Sequence, residues 1–91
     1  MLVENKRVIA EYEDWKVFEV WQSVAPSLKE LELCYVSICP GSRDPTLQFK
    51  EFRIIDFYSK KPLVYQRAVN LCFESDDCPQ VIKDTILVYL L

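Results

Sequence analysis

The chain contains no histidine. That absence removes the side chain most used as a general base, every Ser-His or Cys-His nucleophile pair, and the commonest metal ligand. Most hydrolase mechanisms are thereby closed to the isolated chain. Glycine is nearly absent too: Gly41 stands alone, whereas phosphate cradles and the dinucleotide fingerprint need several glycines close together. Nucleotide-dependent chemistry is not expected.

Long apolar runs are also missing. The longest unbroken one, Ile86 to Leu91, falls far short of the roughly 18 residues a spanning helix needs. The opening Met1-Leu2-Val3-Glu4-Asn5-Lys6 lacks the charged-then-apolar order of a signal peptide, so a cytoplasmic location is the default expectation. Basic clusters are missing as well, because the 11 Lys and Arg residues are scattered or in pairs such as Lys6-Arg7 and Lys60-Lys61, and net charge is -3. Without a basic stripe to displace counterions, neither nucleic acid nor an anionic membrane is an expected partner.

What is present is apolar: 51% of the 91 residues are hydrophobic and 13% aromatic, the opposite of a disordered composition. This length fits one domain, residues 1–91, and one core. Four cysteines, Cys34, Cys39, Cys72 and Cys78, would suit two bridges in a secreted protein. In a reducing compartment free, mostly buried thiols are the better reading. Their spacings of four and five intervening residues match a zinc site only loosely. No metal or other cofactor is expected.

Val, Ile, Phe, Tyr, Trp and Thr outweigh the three alanines, which favours strands. Arg7 to Glu13 alternates with Val8, Ala10 and Tyr12 on one face, and Leu31 to Ile38 is apolar on both faces, as in a strand near the middle of a sheet. The Pro40-Gly41-Ser42-Arg43-Asp44-Pro45 cluster reads as the following hairpin connection. Leu47 to Tyr58 changes phase at Lys50-Glu51, which predicts a long, bulged strand. Leu63 to Phe73 alternates enough to read as a strand, although Gln66, Arg67, Asn70 and Glu74 would also share one helical face. Asp14 to Val24 fits either period.

At the C-terminus, Asp76-Asp77 precede Pro79, and Val81, Ile82, Thr85, Ile86, Tyr89 and Leu90 recur at helical spacing. Acids before a first-turn proline predict an amphipathic helix there. The fold class is therefore α+β: an antiparallel sheet of four to five strands with a C-terminal helix packed on it. The alternative is a ferredoxin-like βαββαβ unit with helices at Asp14 to Val24 and Leu63 to Phe73.

Functionally, the carboxylates Glu11, Glu13 and Asp14, and the pair Asp76-Asp77, are expected as solvated element ends rather than a buried acid/base pair. Cys39 has no histidine or tight basic cluster in sequence to lower its pKa. The expectation is a non-catalytic protein-interaction or regulatory module that self-associates as a homodimer. Its candidate contact residues are Trp15, Trp21, Leu87 and Leu91, the last two falling off the main helical stripe. Ser42, Arg43 and Asp44 form a candidate recognition loop, with a plain hairpin turn as the competing role. Three other classes stay open: a small-ligand-binding regulatory domain of the βαββαβ type, a disulfide-stapled secreted or viral accessory effector, and a small carboxylate or thiol enzyme.

Overall fold

In the computed structural model, residues 2–23, 31–48, 50–57, 61–62 and 66–90 are described. Among the described residues five strands come first and two helices follow: β1 (Val3–Tyr12), β2 (Trp15–Ser23), β3 (Glu32–Cys39), β4 (Phe52–Asp56), β5 (Lys61–Pro62), α1 (Gln66–Glu74) and α2 (Gln80–Leu90). The strands lie in chain order in one antiparallel sheet, β1-β2-β3-β4-β5. The class is α+β, with the C-terminal helix packed on the sheet. It is the meander and not the βαββαβ unit, because Trp15–Ser23 forms a strand where that alternative needs a helix.

The strand over Trp15–Ser23 wins for a reason visible in its partners. Val17 pairs with Ala10 on one side and Ile38 on the other, so the segment is paired along both edges. A helix there would leave β1 without its strand partner and β3 paired along one edge only. β1 and β2 join through Glu13-Asp14 alone, with Tyr12 opposite Trp15. Glu13 takes a left-handed φ of 53°, an unusual conformation for a side chain of this size, which closes so tight a turn.

Three sequence expectations are corrected. First, Val8, Ala10 and Tyr12 do not share a face. The register shifts between Val8, opposite Phe18, and Ala10, opposite Val17, so Ile9 is an extra residue in β1. Such a bulge turns everything beyond it to the other side. Ile9 and Ala10 pack against the core while Val8 is exposed.

Second, Leu47 to Tyr58 is not one long strand. Asp44 accepts hydrogen bonds from the Thr46 amide at 2.9 Å and the Thr46 hydroxyl at 2.8 Å, and its carbonyl accepts from the Leu47 and Gln48 amides. These bonds curl the chain into a turn that drives Leu47 into the core. The strand begins only at Phe52. Its register irregularity lies at Ile54, since Val36 pairs with Ile55 and Ser37 with Arg53.

Third, the segment read as a strand from Leu63 to Phe73 is helical over Gln66–Glu74, and residues 63–65 lie outside the described residues. Val69 and Cys72, three apart, are buried while Asn70 and Glu74, four apart, are exposed. That is a helical stripe, and the alternation in the sequence merely coincides with it.

The core lies between one sheet face and the helices. Trp15, Val17, Val36, Ile38, Phe52 and Ile54 meet Val69 and Cys72 of α1, Cys78, and Ile82 and Ile86 of α2, with Leu47 joining from the turn. α2 starts as the sequence predicts: the Pro79 carbonyl accepts from the Ile82 and Lys83 amides, both at 3.1 Å. No helix is long and apolar enough to cross a membrane among the described residues.

Candidate functional site

β1 runs along one edge of the sheet, and β2 is its strand partner. Ten residues long, it is exposed from Glu4 to Val8 and again at Glu11 and Tyr12. An edge of this length presents backbone donors and acceptors in a row, which is a template for another strand. Its charges are mixed: Glu4, Lys6 and Arg7 lie in the first half, and Glu11, with Glu13 and Asp14 just beyond the strand, in the second.

α2 packs against β1 as well as β2 and β4. Ile82 and Ile86 face the core, so helical geometry turns Val81 and Val88, seven apart, away from it. Val88 is 74% exposed, and Val81, Leu87 and Leu90 are exposed too. The core-facing side is held by one network that the sequence does not announce. Tyr89 donates a hydrogen bond of 2.5 Å to Glu19 on β2, and Arg7 of β1 lies 3.7 Å from the same carboxylate. Burial, then the bond to Glu19, push the Tyr89 phenol up to about 12. Glu19 interrupting the apolar face of β2 was the available signal, but its partner lies 70 residues away.

Among the sequence-proposed contact residues, Trp15 is 2% exposed and belongs to the core, so it offers no surface. Trp21 is half-buried and lines a shallow, open groove of about 330 Å³ with Asn5, Arg7 and Leu31. Leu87 is exposed on α2, and Leu91 lies outside the described residues. The structure thus brings Leu87 to the α2 surface and separates it from Trp15.

In the loop, Ser42 is buried. Its hydroxyl donates to Asp77 at 3.1 Å and accepts from the Asp44 amide at 2.9 Å, fastening the loop to the turn before α2. Asp44 is engaged with Thr46, and those bonds hold its carboxyl below the ordinary range. Arg43 is exposed. Two of the three recognition candidates therefore build the loop.

On the sheet face away from the core, Lys6 lies over the Phe18 ring at 5.8 Å and Arg53 over Tyr35 at 4.4 Å. These cations cap the aromatic rings from within the chain. The Ser37 hydroxyl is buried there without a hydrogen-bond partner among the described residues. No group of three or more His, Cys, Asp or Glu side chains that could hold a metal ion occurs among the described residues.

The cysteines are free thiols, with Cys34, Cys72 and Cys78 buried and Cys39 half-buried. Burial, then the neighbouring Cys78 thiol, push Cys72 up to about 12, and burial pushes Cys78 up to about 11. Cys39 is also raised, by burial and then by Glu51. With an aromatic disulfide reagent at pH 8, one thiol per chain, Cys39, should react before unfolding, and the rest only in denaturant. Simultaneous release of two or more in the native state would contradict that burial.

Fold and surface together define a small α+β domain: a meander sheet covered on one face by helices, with a long edge strand beside a helix that exposes Val81, Leu87, Val88 and Leu90 together with Gln80 and Asp84. No family model, no curated protein and no solved structure matches the chain.

Proposed function

We propose that this chain is a non-catalytic protein-interaction module that self-associates, using the β1 edge and the adjoining outer surface of α2. The observation that carries the reading is the ten-residue edge strand with exposed Val8 and Tyr12, lying next to a helix that exposes Val81, Leu87 and Val88. Strand addition at such an edge supplies main-chain hydrogen bonds, and the neighbouring apolar residues supply buried area. The free, mostly buried thiols support a reducing, cytoplasmic setting.

Sedimentation equilibrium under reducing conditions tests the proposal, against a subunit mass of 10.8 kDa. A concentration-dependent dimer is expected. Val88→Lys should weaken it about tenfold or more, because a desolvated ammonium opposes burial. A wild-type chain that stays monomeric across the whole range would overturn self-association.

A further inference from the structure

We infer that the partner of the β1 edge is a second copy of this chain, paired antiparallel so that Lys6 of each copy lies opposite Glu11 of the other. The inference rests on the self-association proposed above and adds its register. It starts from the bulge. Within the subunit Lys6, Val8 and Glu11 pair with Val20, Phe18 and Lys16, while Asn5, Arg7, Ala10 and Tyr12 pair with Trp21, Glu19, Val17 and Trp15. The first set lies on the sheet face away from the core and the second on the helix-covered face, where Ala10, Val17 and Trp15 meet the core.

Residues opposite one another across two strands must share a face. A register with its twofold axis between Val8 and Ile9 obeys this condition on both sides of the bulge. It sets Arg7 against Ala10, Lys6 against Glu11 and Asn5 against Tyr12, each pair on one face. At the axis Val8 of each copy falls opposite Ile9 of the other, so the one step at which the faces do not match coincides with the bulge.

At Lys6 and Glu11 charge favours the same register, while Glu4 falls opposite Glu13 of the other copy in the turn beyond the strand. Glu11 already lies opposite Lys16 within its own subunit. Adding Lys6 of the second copy gives an alternating row, Lys16, Glu11, Lys6, and symmetry makes it twice. Opposite charges directly across a ladder stabilise it, and like charges oppose it. Because α2 packs against β1, the same twofold places the two α2 helices on the same side of the extended sheet.

The test uses the full chain in three forms: wild type, Lys6→Glu and Glu11→Lys, each checked for native circular dichroism. Either single change places like charges together at two positions per dimer. Self-association is expected to weaken about ten- to a hundredfold in each. Mixing the two variants restores attraction at both positions, because the Lys6→Glu copy is then acidic at each position that faces a lysine of the Glu11→Lys copy. The equimolar mixture should dimerise about as tightly as wild type. If wild type dimerises but the single variants are unaffected, or the mixture is no tighter than either alone, the register is wrong while the interaction surface stands. If wild type never dimerises, both fall.

Discussion

Ile86→Ala is expected to lower stability by about 2–5 kcal/mol, through lost transfer energy and the cavity left behind. Ile86 is fully buried at the centre of the contact between α2 and the sheet, alongside Ile82. A domain of this size has roughly 5–15 kcal/mol in total, so the variant should approach the limit of folding. Val88→Ala, two residues along the same helix, removes a side chain that is 74% exposed and should change monomer stability by no more than about 0.5 kcal/mol. Urea unfolding followed by the fluorescence of the two tryptophans, buried Trp15 and half-buried Trp21, reads both. Comparable losses in the two variants, measured where both are monomeric, would mean that α2 does not sit on the sheet by its Ile82-Ile86 side.

Gly41→Ala is expected to cost about 1–3 kcal/mol or more, as overpacking does when backbone must move. A Cβ at this position would stand 2.5 Å from the Asp14 Cβ and 2.6 Å from its carbonyl carbon. The chain leaving β3 thus presses against the turn joining β1 to β2, and the single glycine is what lets it pass. Removing the Asp14 side chain as well, in Gly41→Ala with Asp14→Gly, should recover only part of the loss, since the backbone contact persists. The check is again the urea midpoint. An unperturbed Gly41→Ala would show that the two turns are not in contact.

These two sites differ in how far sequence alone foretold them. Ile82 and Ile86 repeat at the helical interval after two acids and a proline, so α2 and its buried side are local properties of the chain. Gly41 reads from sequence only as part of a turn. Its contact with Asp14 depends on β1, β2 and β3 lying side by side.

The same division runs through the molecule. The absence of histidine removes imidazole chemistry from this chain whatever the fold, because chemistry needs the atoms to be there. Alternation and β-branched content likewise determined that the chain forms an antiparallel sheet with a terminal helix, since period-2 and period-3.6 patterns state which side chains point together. They do not state what covers a face. Whether Trp15 is core or surface, whether residues 66–74 wind or extend, and where the extra residue at Ile9 turns the strand over were settled by partners distant in sequence. Tyr89 reaching Glu19 is the plainest case, with 70 residues between them. The exposed edge belongs to this second group: Glu4, Lys6, Arg7 and Glu11 make β1 more charged than β2 or β3, but it is the end position in the sheet that leaves its backbone open to another chain.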